Sequence, residues 1–277
     1  MHADDLLGHA LRAGAPVTRT VCVTGSASGM GAATRAVLEA DGHRVIGVDL
    51  HDADVVADLS TPAGRVRAIA EVNARCDGVL DGLVTWAGIP GLTTAHGSAL
   101  VSVNYFGTVA LLDGLRPALA RGDQPAAVAI SSNSTTAQPG VPMDVVELCL
   151  AGDEAAACSA ADAAGALGTY PATKTALAWW ARRHAPEWAG RGITLNVVAP
   201  GAVETPLLQQ TRDDPVIGPY IDDFPIPVGR KGTPQELAHV VAFLLGPHAR
   251  FFCGSVVFVD GGTDALLRPD SQPAPLA

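Results

Sequence analysis

The sequence has little charge, few aromatic rings and no excess of positive charge. Charged residues make up 17% of the 277 positions and aromatics 5%, against 48% hydrophobic residues. That balance excludes a disordered chain, which stays unfolded through high net charge and low hydrophobicity. Lysine and arginine number 18 against 28 aspartates and glutamates, a formal charge of −10. Such a chain repels phosphate backbones and anionic lipid, so nucleic acid and membrane surfaces are not expected as main partners. Cysteine is scarce and scattered, with five residues at 22, 76, 149, 158 and 253 and no Cys-x-x-Cys or Cys/His cluster. This spacing disfavours a disulfide framework and a zinc site, and no metal is expected. No continuous apolar stretch approaches the roughly 18 residues of a membrane helix. Met1 to Arg19 carries Asp4 and Asp5 and lacks the apolar run of a signal peptide. The expectation is a soluble protein of the reducing cytoplasm that works on small molecules.

What the sequence does have is glycine, at 30 residues, and a series of short apolar runs. Arg19–Thr24, Val45–Leu50, Val55–Leu59, Leu83–Thr85, Ala126–Ser131, Ile193–Val198 and Ser255–Asp260 read as strands. Helical patterns such as 32–41 and 61–75 separate most of them. Apolar strands alternating with helices predict an α/β fold, a single Rossmann-type doubly wound domain with about seven parallel strands. Two regions stand apart from this pattern. Residues 133–168 are too long for a strand–helix loop and read as a helical insert, two short helices broken at Gly152. Residues 205–232 mix Pro, Asp and Gly with dispersed Leu, Ile, Tyr and Phe, which suits a mobile lid over an apolar ligand better than a packed element. The Pro-rich tail 268–277 is expected to be loosely held.

Two constellations carry chemistry. The first is Thr24-Gly25-Ser26-Ala27-Ser28-Gly29-Met30-Gly31, which follows a strand and opens a helix. Glycines there permit a tight turn and let backbone approach a pyrophosphate at the helix N-terminus. An ordinary Gly/Ser turn would look similar, but Asp49 ends the next strand 18 residues after Gly31. A carboxylate at that place accepts hydrogen bonds from adenosine ribose hydroxyls and repels a 2′-phosphate. No Lys or Arg lies within the glycine turn or just after Asp49, so NAD is favoured over NADP; His51 is the one neighbour able to soften that preference. The second constellation is Tyr170-Pro171-Ala172-Thr173-Lys174, whose Tyr and Lys share one helix face. An ammonium beside a phenol lowers its pKa and makes it a usable acid/base. The competing view is a solvated lysine beside a half-buried tyrosine.

With these residues in place the chain resembles the short-chain dehydrogenase/reductase family from about Thr20 to Ala265. The glycine pattern, Asp58-Leu59, Ala87-Gly88, Asn104, Ser131-Ser132, Tyr170/Lys174, Asn196 with Pro200-Gly201, and Thr205-Pro206 all fall in family order. Segments 57–61, 81–84, 101–107, 124–128 and 204–208, with the insert, resemble the bacterial 3α-hydroxysteroid dehydrogenase/carbonyl reductase group. The resemblance implies Tyr170 as acid/base, and Lys174 as its partner and a ligand of the nicotinamide ribose. It implies Ser132 as the group holding the substrate oxygen, with Ser131 the alternative. Asn104 would support a water-linked proton relay near Lys174, or else cap nearby backbone. NAD would be held by Gly25, Ser28, Gly29, Met30 and Gly31, by Asp49, Asp58 and Leu59, by Ala87 and Gly88, and by Pro200, Gly201, Val203 and Thr205. The reaction implied is reversible oxidation of a secondary alcohol to a ketone, on a hydroxysteroid or another bulky apolar carbonyl compound. A non-steroid secondary alcohol and a non-catalytic NAD-binding protein are the alternatives. The family also implies a homodimer or homotetramer, with the insert blocking the usual four-helix contact. One departure is Thr85-Trp86 where the family commonly has Asn-Asn; Trp86 is expected to fill core volume rather than touch ligand. Trp179 and Trp180 are expected in packing or an interface, and Asp213–Asp214 and Asp222–Asp223 at solvated lid positions.

Overall fold

Seven parallel strands form one sheet in the order β3-β2-β1-β4-β5-β6-β7. They are β1 (Thr20–Thr24), β2 (Arg44–Asp49), β3 (Val55–Val56), β4 (Gly82–Thr85), β5 (Ala126–Ile130), β6 (Thr194–Pro200) and β7 (Val256–Val259). The computed structural model describes residues 18–272, so the N-terminal segment 1–17 and the last five residues of the tail lie outside the described residues. Strands with both faces covered are mostly apolar, and every residue of β4, β5 and β6 is buried.

Alternation along β1 sends Val21 and Val23 to one face and Cys22 to the other. The first face packs on α1 (Gly29–Ala40) and α11 (Pro234–Leu245), burying Leu38, Leu237 and Val241. The second is covered by α2 (Pro62–Arg75), α4 (Thr108–Leu119) and α8 (Ala166–Ala189), with Leu111, Leu112, Leu115, Leu177 and Trp188 wholly buried. Strand order reverses between β1 and β4, since β2 and β3 lie to one side of β1 and β4 to β7 to the other. Ligands of such sheets sit outside the carboxyl ends of the strands at this switch point.

The helix before α4 is irregular. A short α3 (Gly97–Leu100) passes through a π-helical segment, Val101–Gly107, and continues as α4. The combined run Gly97–Leu119 is long and apolar enough by length and composition to cross a membrane, which qualifies the expectation that no stretch approaches one. Half of its apolar window is buried, and its leucines at 111, 112, 115 and 119 sit in the core described above.

Residues 133–168 contain α5 (Ser134–Ala137), α6 (Met143–Ala151) and α7 (Glu154–Ala164). Gly152 ends α6 in the left-handed region at φ +79°, and Asp153 caps α7 by accepting from the Ala156 amide at 3.0 Å. Residues 205–232 are more regular than expected. They hold α9 (Pro206–Asp213), capped by Thr205, and α10 (Gly218–Ile221), and Leu208 is buried. Asp214 is a clear correction, because its side chain is not solvated; the residue is 5% exposed and accepts four hydrogen bonds. Asp222 does face solvent and pairs with Arg212 and Lys231. Trp180 is buried against His184 and Trp188, whereas Trp179 is half-exposed. The last short helix, α12 (Thr263–Leu267), follows β7.

Candidate active site

Backbone contacts build one end of the cleft. Gly25 turns the chain out of β1 at φ +67°, and a Cβ there would stand 2.7 Å from the Ala87 amide nitrogen. A Cβ on Gly31 would lie 1.9 Å from the Gly25 carbonyl oxygen. Only glycine lets the turn, the start of α1 and the end of β4 close on one another. Thr24 adds a tie, its hydroxyl accepting from the Ala87 amide at 3.0 Å. The N-cap residue Ser28 makes no side-chain capping bond and the first turn of α1 has no acidic residue. Its first amides therefore remain available to an anion, with the helix dipole in support.

Asp49 closes this end. Its Oδ2 accepts from the Ala27 amide at 2.9 Å and its Oδ1 from the Leu50 amide at 2.7 Å, which fixes the carboxylate at the rim of the cavity. Asp58 accepts from the Ser60 amide at 2.9 Å, and Ser60 holds its carboxyl below the usual carboxylate range. Gly25, Ser28, Gly29, Met30, Gly31, Asp49, Asp58, Leu59, Ala87 and Gly88 all line the same cavity. His51 points away from that role, highly exposed and paired with Asp52 at 3.1 Å. The residues present thus fit a dinucleotide: a cradle closed to any Cβ, an open helix N-terminus and a fixed carboxylate.

A second cavity continues from the first and shares Met30, Trp86, Gly88, Ile89, Thr205 and Leu207 with it. Ser131, Ser132, Tyr170, Lys174, Pro200, Gly201, Val203 and Leu208 line the rest. Tyr170 comes from α8, whose Pro171 lacks an amide proton and so frees the Leu167 carbonyl; Gln138 Nε2 donates to that carbonyl at 2.8 Å. Burial pushes the Tyr170 phenol up, and the neighbouring Ser132 hydroxyl opposes it. Burial holds the Lys174 ammonium down, to about 8. Lys174 Nζ donates to the Ile130 carbonyl at 3.0 Å and lies 5.8 Å from the centre of the Tyr170 ring. Among the protein groups alone, desolvation is the larger effect on the Tyr170 phenol, and Ser132 acts against it.

Ser131 and Ser132 divide their work. Ser131 Oγ donates to the Lys174 carbonyl at 2.8 Å and braces α8 against β5. Ser132 Oγ accepts from the Ser134 amide at 3.1 Å and is the serine that acts on the Tyr170 phenol. Asn104 sits in the π-helical segment behind the cleft wall, wholly buried. Its Oδ1 accepts from the Ile89 amide at 2.8 Å and its Nδ2 donates to the Ile89 carbonyl at 3.0 Å. Capping of nearby backbone describes this side chain. A Cβ on Gly88 would stand 3.1 Å from Asn104 Oδ1 and 3.6 Å from Lys174 Nζ, so the three residues meet.

Other contributors were not singled out from sequence. Ile89 lines both cavities and follows directly on Ala87-Gly88, a signal that was available. Trp86, expected to fill volume, also donates its indole N–H to Thr34 Oγ1 at 2.9 Å and is among the residues lining both cavities. Arg65 is buried; it donates to the Leu59, Ser60 and Ser102 carbonyls and forms a two-pronged pair with Glu154 at 2.6 and 2.7 Å. No local pattern announces a partner 89 residues away. Among the described residues no group of three or more His, Cys, Asp or Glu is placed to hold a metal ion.

The sequence model of the short chain dehydrogenase family matches residues 19–143, and one described as enoyl-(acyl carrier protein) reductase matches residues 154–264. A 3-alpha-hydroxysteroid dehydrogenase/carbonyl reductase of Comamonas testosteroni is 46% identical over 255 residues, spanning 90% of this chain and 98% of that protein. A coniferyl-alcohol dehydrogenase of a Pseudomonas species is 32% identical over 254 residues, covering 88% of this chain and 96% of that protein. Among solved structures, a 3-alpha-hydroxysteroid dehydrogenase from Pseudomonas sp. B-0831 complexed with NADH superposes with a TM-score of 0.88 at 53% identity, covering 91% of this chain and 99% of that one.

Proposed function

The chain belongs to the short-chain dehydrogenase family of oxidoreductases, and from that premise we propose that it interconverts a secondary alcohol and a ketone with NAD(H). The substrate is a hydroxysteroid or another bulky apolar carbonyl compound. The observation that carries this reading is the continuity of the cleft, with the glycine cradle and Asp49 at one end and Ser132, Tyr170 and Lys174 at the other.

NAD, when bound, supplies a hydride acceptor for the carbinol carbon. Gly25, Ser28, Gly29, Met30 and Gly31 would receive its pyrophosphate, Asp49 its adenosine ribose, and Asp58 and Leu59 its adenine. Ala87 and Gly88 line the adenosine side. Pro200 and Gly201 would let backbone pass beside the nicotinamide, and Val203 and Thr205 would hold its carboxamide and Lys174 its ribose. Tyr170 takes the hydroxyl proton on oxidation and returns it on reduction. Ser132 holds the substrate oxygen in reach of the Tyr170 hydroxyl. Asn104 fixes the backbone at Ile89 and supports a water-linked route for the proton past Lys174. Leu207 and Leu208 give the apolar wall a polycyclic substrate needs.

The same reading has the protein act in the cytoplasm as a homodimer or homotetramer. The insert blocks the usual four-helix contact, since α6 packs on α8 and buries Val145, Val146 and Cys149 beside it. Turnover of androsterone, coniferyl alcohol and cyclohexanol with NAD, followed by NADH absorbance, tests the substrate class. Androsterone should give the highest kcat/KM; preference for cyclohexanol would favour a non-steroid secondary alcohol, and preference for coniferyl alcohol, a primary alcohol, would overturn the secondary-alcohol reading. Tyr170→Phe should lower kcat at least about a hundredfold while leaving NADH affinity within about twofold. Unchanged turnover in that variant would remove the proposed acid/base.

A further inference from the structure

One segment of the cleft wall is neither helix nor strand. Residues 89–95 run from the Ala87-Gly88 wall over the Tyr170 side chain and are held at three places. At Ile89 both backbone groups are bonded to Asn104. At Gly91 the chain crosses α8 so closely that a Cβ would stand 2.7 Å from Tyr170 Cβ and 2.8 Å from the Ala166 carbonyl oxygen. At Thr93 both the backbone amide and the hydroxyl donate to a single oxygen, Asp214 Oδ2, at 2.7 Å each.

Asp214 uses its two oxygens for different purposes. Oδ1 accepts from the Val216 and Ile217 amides at 3.0 and 3.2 Å, which closes the local turn after α9. Oδ2 is left for a partner 121 residues away. A carboxylate taken out of water needs its lone pairs filled, and here all four bonds fill them. Burial pushes this carboxyl up, but the Thr93 hydroxyl and the three amides bring it down to about 2. Asp214 directly follows α9, whose Leu207 and Leu208 line the cavity above Tyr170.

We propose that Asp214 and Thr93 form a latch that ties α9 to the strap over Tyr170, making Asp214 a positioning residue for the substrate end of the cleft. It sets how close the apolar wall of Leu207 and Leu208 stands to the acid/base. This rests on the reading of Tyr170 and of an apolar alcohol as given above. Neither Thr93 nor Asp214 is among the residues lining the cofactor cavity, so the latch acts on the alcohol more than on NAD.

Three variants of the full chain test it. Asp214→Asn has one accepting oxygen where two are used, Thr93→Val loses the hydroxyl, and Thr93→Ser keeps it. Hydrogen exchange by mass spectrometry, with no ligand added, should show amides in 89–95 exchanging about tenfold faster in Asp214→Asn, the effect expected for a lost charge-assisted hydrogen bond. Thr93→Val should raise the KM for androsterone about tenfold, leave the KM for NAD within about twofold, and be rescued by Thr93→Ser. Unchanged exchange in Asp214→Asn, failure of serine to rescue, or a parallel rise in both KM values would each overturn the latch. If the wild type turns over none of the three alcohols, the proposed activity falls, and the exchange measurement still decides the latch.

Discussion

The cleft is built by two different methods at its two ends. Around Gly25, Gly31 and Ala87 the walls are main chain, drawn together where side chains are absent. Around Tyr170 the walls are side chains and helices brought in from α8, α9 and the π-helical segment, and they are tied by individual hydrogen bonds such as Asn104 to Ile89 and Asp214 to Thr93. The first method recognises what is common to all dinucleotides and leaves little room for variation. The second exposes many independent positions whose exchange alters what is accepted without disturbing the sheet. A family that keeps its cofactor and changes its substrates would be expected to divide the work in this way.

The strongest challenge to that contrast is Gly31→Ala. The added methyl must displace the Gly25 carbonyl, from which it would stand 1.9 Å. Overpacking of about 1–3 kcal/mol predicts NADH binding weaker by up to about a hundredfold, measured by fluorescence titration. A mild effect would mean that the cradle yields, and the contrast would lose its rigid half.

Next in size is Arg65→Met. It removes a buried guanidinium that serves Leu59, Ser60, Ser102 and Glu154 together. Glu154 remains partly solvated, so the loss falls below that of a fully buried pair, at about 2 kcal/mol in urea unfolding. Because Leu59 lines the cofactor cavity and Glu154 opens α7, loss of NADH affinity in the same variant would link the insert to the cofactor end.

Asp49→Ser should raise the ratio of kcat/KM for NADPH over NADH by about tenfold, one unit of charge repulsion at the ribose being removed. Steady-state rates with both cofactors measure it. No change would mean that the fixed carboxylate does not face the ribose.

A further effect concerns pH. Burial holds the folded Lys174 near 8 against an ordinary value of 10.5. Between those values the unfolded chain binds more protons, so this group adds stability as pH rises from 8 towards 10. The difference in unfolding free energy between wild type and Lys174→Met should climb over that range. Buried thiols such as Cys22, pushed up by desolvation, act in the opposite sense but alike in both proteins.

The main-chain end was the more legible in the sequence. Gly25, Gly31, Asp49 and the strands that carry them announce themselves by local pattern, and the structure places all ten expected cradle residues on one cavity. At the other end Tyr170, Lys174 and Ser132 were readable as residue types, but their electrostatics were not. Desolvation depends on how α8 is covered, and no spacing encodes that. Asp214 departs from its local pattern for a related reason: a pair of acidic residues among Pro and Gly has the look of a solvated loop, and its partner Thr93 is visible only once the chain has folded. Arg65 and Glu154 escaped notice likewise. The two insert helices and their break at Gly152 were legible because capping is local; the helices within 205–232 were less so, being short and interrupted by Pro and Gly.

The π-helical segment Val101–Gly107 separates fold from chemistry along one helix. A π turn takes up one more residue than the α turn it replaces, while the helix beyond it keeps its direction and phase. The leucine stripe of α4 can thus hold its seat in the core, where Val101 and Tyr105 of the preceding turn join it. Asn104 occupies that turn. Its position is in effect a parenthesis in the helix, a place where the chain gains or loses a functional group by changing its length and not its packing.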